Sequence, residues 1–547
     1  LLFCFITKKK AIGKPRSYYK TIDPTSDFLE NYFDKLYINI CYKKAVNDCS
    51  CQSIKLKKIM AGQIPNNPIL DDQVSPGGNS KNYKSAFALL TSLFFMWGFI
   101  TVVNDPLISA FKKIFDLQAF HAGLVQSAFF IAFFVISLIY FLISTSRGED
   151  PINRLGYKKG MSFSLGVCSL GCFSFYPSAL AESYPMFLAS LFILASGITL
   201  LQICANPYAA IMGSKETASS RLNLAQGFNS LGTTIAPLAA SLLIFKVFTN
   251  GTEPTLDAIS FTYLITGSLF LVLALVVWVA DMPAYTNAEK VKGGLAVLQF
   301  PQLKWGIGAI FFYVGGEVAI GSWLMPFMEN VFGFEPTKAG AYLAFYWGGA
   351  MIGRLLGAVS LNTDIEDNKK YPMMAAISVV VFGVIYLITG LDLDANGAIA
   401  FVGLEFSEVV FYLLFLVLNY IAFILGKSNA ARSLSIFCVV VIALLLIGVF
   451  SGESRLALWA LLSIGLFNSI MWSNIFTLAI KDLGIYTSQG SSLLVMAIVG
   501  GAFIPPLQGL VSDVWGPQLS FLTPIICYAY ILFYGLVGHR TKEEIPN

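Results

Sequence analysis

The chain has 547 residues, of which 56% are hydrophobic and 12% charged, and its net charge is +4. Its mean hydropathy is +0.69. A soluble domain carries roughly 25% charged residues, so this composition excludes a water-exposed globular surface, and the small positive balance gives no argument for a nucleic-acid partner.

Residues 1–82 are rich in Lys, Tyr, Asn and Asp and hold only short apolar stretches. They are expected to be a polar extension, disordered or foreign to the native protein. The first methionine is Met60, and a natural start there would make 1–59 an addition; a genuine basic cytoplasmic tail is the alternative. Phe3 to Thr7 is too short for the core of a signal peptide.

From 83 onward the chain alternates long apolar runs with short polar joints. Runs fall at about 84–111, 119–144, 159–181, 184–212, 219–247, 256–280, 303–328, 337–361, 371–391, 407–426, 431–450, 455–480, 486–511 and 518–538. Each approaches or exceeds the roughly 20 residues that cross a bilayer as a helix. Lipid cannot satisfy free backbone groups, so helices are the expected form. The expected fold is therefore all-α and polytopic, with about 14 spans, a cytoplasmic linker at 282–302 and a tail at 540–547.

Basic residues orient the spans. With the N-terminus inside, the inner joints and helix ends hold Arg147, Arg154, Lys158, Lys159, Lys215, Arg221, Lys290, Lys292, Lys304, Arg354, Lys369, Lys370, Lys427, Arg432 and Lys481. The outer joints hold Lys112, Lys113, Lys246, Lys338 and Arg455. This asymmetry puts both termini in the cytoplasm and suits a multi-pass protein of the cell membrane.

An internal repeat is visible. Ala122-Gly123 and Phe94-Phe95 recur 217 positions later as Ala339-Gly340 and Phe311-Phe312. Asn206, Ser220, Gly232 and Pro237 recur 268 positions later as Asn474, Ser488, Gly500 and Pro505. The offset grows by 51 between the two sets, about the length of a membrane helical hairpin. Two six-helix halves, 83–281 and 303–539, are expected, the second carrying an inserted pair near 371–426. That is a major facilitator arrangement, with a cavity between the halves.

Ionisable groups inside spans are costly and mark function. Asp105 lies in Asn104-Asp105-Pro106 and Glu317 follows Tyr313-Val314-Gly315-Gly316. A carboxyl held in a low-dielectric cavity can load and release a proton near neutral pH, so both are candidates for proton coupling. Asp105 could instead cap or break its helix. Glu317 could instead accept sugar hydroxyls or pair with a basic side chain. Arg154 and Arg354 are read as gate or structural residues. The amides Gln202, Asn206, Asn223, Gln226, Asn229, Asn468, Asn474, Gln489 and Gln508 donate and accept hydrogen bonds, which suits a polyhydroxylated neutral ligand. Trp97, Tyr313, Trp323, Trp347 and Trp472 could give it apolar platforms. The nine cysteines show neither metal spacing nor a disulfide framework, and no nucleotide-binding or nucleophile motif is present, so no cofactor, no metal and no enzyme activity are expected.

Several segments resemble the fucose–proton symporter family and its glucose/galactose branch, within the major facilitator superfamily. They are Asn104-Asp105, Ala122-Gly123-Leu124-Val125-Gln126-Ser127-Ala128-Phe129, Ala205-Asn206-Pro207, Arg221-Leu222-Asn223-Leu224-Ala225-Gln226, Phe228-Asn229-Ser230, Ile480-Lys481-Asp482-Leu483-Gly484 and Gly490-Ser491-Ser492. The resemblance implies that Asp105 couples protons and that Asn229 lies on the sugar-binding face. Gln202 stands where the fucose symporters carry a glutamate, which is the pattern of the glucose/galactose branch, and glutamine cannot titrate. The expected activity is import of a neutral monosaccharide with a proton by alternating access, by a protein that acts as a monomer. Its binding residues would be Asn104, Gln126, Gln202, Asn206, Asn229, Tyr313, Asn468, Trp472 and Asn474. An uncoupled facilitator, an efflux carrier and a sugar sensor are the alternatives.

Overall fold

The computed structural model describes residues 80–117, 119–147, 149–244, 255–283, 295–334, 336–393, 399–401 and 404–541. The expectations for 1–79, for most of the linker and for the tail beyond 541 lie outside these residues.

Fourteen membrane-length helical segments are described: α1 Ser80–Ile114, α2 Ala119–Arg147, α3 Tyr157–Leu180, α4 Tyr184–Ile211, α5 Ala218–Leu242, α6 Leu256–Val279, α7 Pro301–Phe332, α8 Pro336–Ser360, α9 Asp367–Gly390, α10 Phe406–Gly426, α11 Ala430–Phe450, α12 Arg455–Ala479, α13 Gly484–Trp515 and α14 Leu519–Gly538. They follow the apolar runs read from the sequence, with ends that differ by a few residues. Twelve are both long and apolar enough to cross a bilayer. The two that are too polar are α5 and α8, although each has 25 residues. Their polarity has a use, described below.

Local sequence explains several ends. Asp150 caps the short helix Pro151–Leu155 by accepting from the amides of Ile152 and Asn153, with Pro151 at its first turn. A capping box between Glu405 and Glu408 opens α10, and Gly333 closes α7 in the left-handed region at φ 64°. Prolines fall inside α4, α7 and α13, where neighbouring helices can satisfy the carbonyls they free. A short antiparallel ribbon, β1 Leu391–Leu393 and β2 Ile399–Phe401, joins α9 to α10.

The packing repeats. In the first half α1 lies on α5, α2 on α4, and α3 on α4 and α6; in the second α7 lies on α13, α8 on α12, and α11 on α12 and α14. The match works only if α9 and α10 are passed over, so these are the added pair. They cover the outer faces of α8, α11 and α12. One detail carries the repeat to atomic scale. A Cβ on Gly232 would stand 2.3 Å from the carbonyl oxygen of Phe95, and one on Gly500 would stand 2.0 Å from that of Phe311. In both halves a glycine lets the fifth helix touch the backbone of the first.

The outward faces are apolar, as a protein solvated by lipid requires: Leu269, Val272, Leu275 and Trp278 on α6, and Val379, Val380 and Leu387 on α9, are exposed. Polar side chains turn inward, to the seam where α2 meets α13 and α5 meets α8. The fold is the major facilitator arrangement, two six-helix halves with an additional helix pair in the second.

Candidate functional site

The seam is closed at one end and hollow at the other. At the closed end, Asn153 Nδ2 donates to the Ile485 carbonyl (2.7 Å), Gln489 Nε2 to Ser144 Oγ (2.8 Å) and Ser491 Oγ to the Ile203 carbonyl (3.1 Å). Tyr157 and Ser488 hydroxyls lie 3.1 Å apart, and those of Ser219 and Thr477 2.6 Å apart. Lys215 pairs with Asp482 at 3.4 Å. Every one of these contacts joins the first half to the second. We call this end the latch. Behind it Asp150 is buried, accepting from Tyr140 (2.7 Å), Ser144 (3.2 Å) and the two capping amides. Burial pushes the Asp150 carboxyl above its ordinary range.

From mid-bundle towards the opposite end runs a cavity of about 1120 Å³. The polar helices build its walls. From α5 come Asn229, Ser230, Thr233 and Thr234, which share one face at helical spacing; from α8 come Trp347 and Arg354; from α7 comes Glu317. Thr101 of α1 and Phe130 of α2 complete the central part. The cavity continues past the start of α8 to Thr389, Leu404, Glu405 and Glu408, so the added pair forms part of its mouth. There Lys338 and Glu408 pair at 2.8 Å.

Its floor is a charge pair. Arg354 Nη2 lies 3.7 Å from Glu317 Oε1, and both side chains are nearly buried. Tyr313 donates its hydroxyl to the same oxygen at 2.7 Å. Arg354 also donates through Nη1 to Ser230 Oγ across the seam, and through Nε to the Ser469 carbonyl at 3.3 Å. Gly353 allows this: a Cβ there would clash with Ser469 at 2.1 Å, so α8 sits hard against α12 and Arg354 is turned towards α5 and α7.

The sequence-derived residues divide. Asn229 and Glu317 line the cavity, and Tyr313 stands buried behind Glu317. Arg354, expected as a gate or structural residue, also lines it. Arg154 is on the surface beside Glu149, at 3.5 Å. Besides Tyr313, five of the binding candidates do not line the cavity. Asn468 donates to Tyr346 (2.9 Å) and accepts from Tyr528 (2.7 Å). Asn474 bonds to Asn223 (3.3 Å) and the Ala430 carbonyl (3.2 Å). Trp472 stacks on Phe476 with centroids 5.0 Å apart. Gln202 and Asn206 are buried in α4. For the two bonded amides the reason is that their partners lie on neighbouring helices; Trp472 is taken up by Phe476 one turn on in its own helix. Asn104 and Asp105 lie in α1 and Gln126 in α2, but their side chains are outside the described residues. Sequence reading did not single out Ser230, Thr233 and Thr234. The signal was their i, i+3, i+4 spacing beside Asn229 in a run too polar for a lipid-facing helix. Among the described residues no three His, Cys, Asp or Glu side chains converge as metal ligands would.

The profile of the Major Facilitator Superfamily matches residues 86–418. This chain belongs to the Major Facilitator Superfamily. Among major facilitators it is similar to a glucose/galactose transporter of Brucella abortus, with 38% identity over 88% of this chain and 100% of the relative. It is also similar to the L-fucose-proton symporter of Escherichia coli, with 28% identity over 85% of this chain and 96% of the relative. The crystal structure of the major facilitator FucP in the outward conformation matches with a TM-score of 0.62 and 28% identity, over 84% of this chain and 99% of that one. The resemblance read from the sequence holds at the level of family, and with it the class: a membrane transporter and not an enzyme.

Proposed function

We propose that the chain imports a neutral monosaccharide of the glucose, galactose or fucose type together with a proton, by alternating access. The observation that carries this reading is a cavity at the seam of the two halves, hollow towards one end and latched at the other. A carrier caught between turnovers has this form. The named activities of its relatives supply the substrate class. Hydroxyl, amide and indole groups on the cavity wall suit a polyhydroxylated ring with an apolar face.

Asp105 is the proposed proton carrier. Glu317, already paired with Arg354, serves as hydrogen-bonding floor. Arg147, Arg154, Lys158, Lys159, Lys215 and Lys481 cluster at or near the latch, so the latch faces the cytoplasm and the cavity faces outside. Loading of Asp105 and sugar would let the halves rock, close the mouth and part the latch.

A second reading is favoured by two observations: Gln202 cannot titrate and Glu317 lies beside the Arg354 guanidinium, which leaves Asp105 as the one proton site proposed. An uncoupled facilitator needs none. Proteoliposome uptake of labelled glucose, galactose and fucose, with and without an inward proton gradient, separates the two. Accumulation above equilibrium under the gradient, lost in Asp105→Asn while exchange persists, is the expected result. Equal uptake with and without the gradient supports the facilitator. No uptake of any of the three rejects both.

A further inference from the structure

The floor of the cavity holds more bonding capacity than the protein uses. Arg354 has five N–H donors in a planar fork. One goes to Ser469, one to Ser230, and one points at Glu317. Glu317 Oε1 takes the Tyr313 hydroxyl, and Oε2 takes no protein hydrogen bond among the described residues. The 3.7 Å between Nη2 and Oε1 is longer than the 2.7–2.9 Å typical of a charge-assisted hydrogen bond, on the order of 1 Å longer. The two groups are thus an ion pair that is not closed.

A structural staple between α7 and α8 would be expected to close. An open pair facing a cavity is matched by a group that can donate to the carboxylate and accept from the guanidinium at once. A hydroxyl does both. Two hydroxyls on adjacent ring carbons would meet the fork and the carboxylate together, in the way a planar fork takes paired oxygens. The pair is neutral as a unit, so it favours an uncharged partner over an acid or an amine.

We propose that Arg354 and Glu317 together bind a vicinal diol of the transported sugar, with Arg354 a direct substrate ligand. This rests on the reading of the chain as a sugar carrier. It also gives binding a route to the seam. The same guanidinium that would hold the diol reaches Ser230 of the other half, so occupancy of the floor is felt by both halves.

The test uses the purified full chain in detergent, with affinities read from quenching of intrinsic tryptophan fluorescence; Trp347 stands in the cavity wall. The probes are glucose, galactose and their 2-, 3-, 4- and 6-deoxy analogues. Wild-type protein is expected to lose at least about ten-fold in affinity for the analogues at two adjacent positions, the loss of one charge-assisted hydrogen bond. Arg354→Lys is expected to lose about as much for the parent sugar and no longer to distinguish those two analogues from it, while still distinguishing the others. Glu317→Gln should show the same selective loss. Variants that bind the parent sugar as wild type does overturn the proposal. So do variants that bind more weakly but keep the full wild-type analogue pattern, since that marks a structural role. Should neither variant fold, the wild-type pattern alone decides: no sensitive adjacent pair overturns the proposal, and such a pair upholds it. Wild-type protein that binds none of these probes and no fucose rejects the sugar-carrier reading itself, and this inference with it.

Discussion

Gly98 of α1 lies so close to Asn229 of α5 that a Cβ on the glycine would stand 2.2 Å from the Asn229 carbonyl oxygen. Asn229 in turn donates its side-chain amide to the Phe94 carbonyl at 3.0 Å. The side chain expected on the sugar face is therefore held where α1 and α5 come into backbone contact. Gly98→Ala must push α1 and α5 apart and turn Asn229 out of register. Overpacking of this kind costs about 1–3 kcal/mol. A drop in thermal midpoint together with loss of sugar uptake is expected. Gly166→Ala, at a site with nothing within 4 Å of the added atom, is the control and should change neither. A Gly98→Ala protein with normal midpoint and uptake removes the contact from the account.

The latch should be lockable. Ser219 and Thr477 approach to 2.6 Å from opposite halves. The double substitution Ser219→Cys and Thr477→Cys is expected to cross-link under mild oxidation. The cysteines described in the native chain, Cys168, Cys172, Cys204, Cys438 and Cys527, are buried and unlinked, so they should not compete. The oxidised protein should still bind sugar at the open end but fail to carry it, and a reducing agent should restore uptake. Full transport by the cross-linked form is incompatible with a latch that must part.

The charge pair has a stability signature. Breaking a buried pair by removing one partner costs about 3–5 kcal/mol, whereas replacing both can be close to neutral. The pair here borders a cavity, so the lower end of that range applies. Arg354→Met is expected to lower the thermal midpoint more than Arg354→Met combined with Glu317→Met. A double variant less stable than the single one would show that Glu317 does not depend on Arg354 for its charge.

Asp150 makes a prediction in pH. Burial raises its carboxyl above the ordinary 3.8, and the hydrogen bonds from Tyr140, Asn153, Ile152 and Ser144 oppose the rise without cancelling it. The folded state then binds the proton more tightly than the unfolded chain. Its contribution is complete below the ordinary value and is lost as pH rises through the raised one. Across that window the midpoint of the wild type should fall relative to that of Asp150→Asn, which has no such proton. Scanning calorimetry of both proteins from pH 4 to 7 checks it. A difference that grows in the opposite direction refutes the burial argument.

Apolar runs of the right length, joined by short polar links, determined that the chain is a bundle of about fourteen membrane helices, because lipid leaves the backbone no other form. Constant offsets between like residues determined that the bundle has two related halves and an extra pair; the glycine contacts at Gly232 and Gly500 are the physical cause of one such match. Glu317 and Asn229 were legible as candidates because an acid or an amide in a membrane helix needs a reason to be there, and both line the cavity. Which amides serve a ligand and which serve the fold could not be read from residue type, since Asn229, Asn468 and Asn474 look alike in a sequence. Only the tertiary structure showed their surroundings: Asn468 and Asn474 bond to neighbouring helices away from the cavity, whereas Asn229, which also bonds to the Phe94 carbonyl, lies on the cavity wall. It likewise moved Arg354 from gate to cavity floor. Helix rotation sets where a long side chain points, and that rotation comes from the glycine contact of α8 with α12, which no local pattern records.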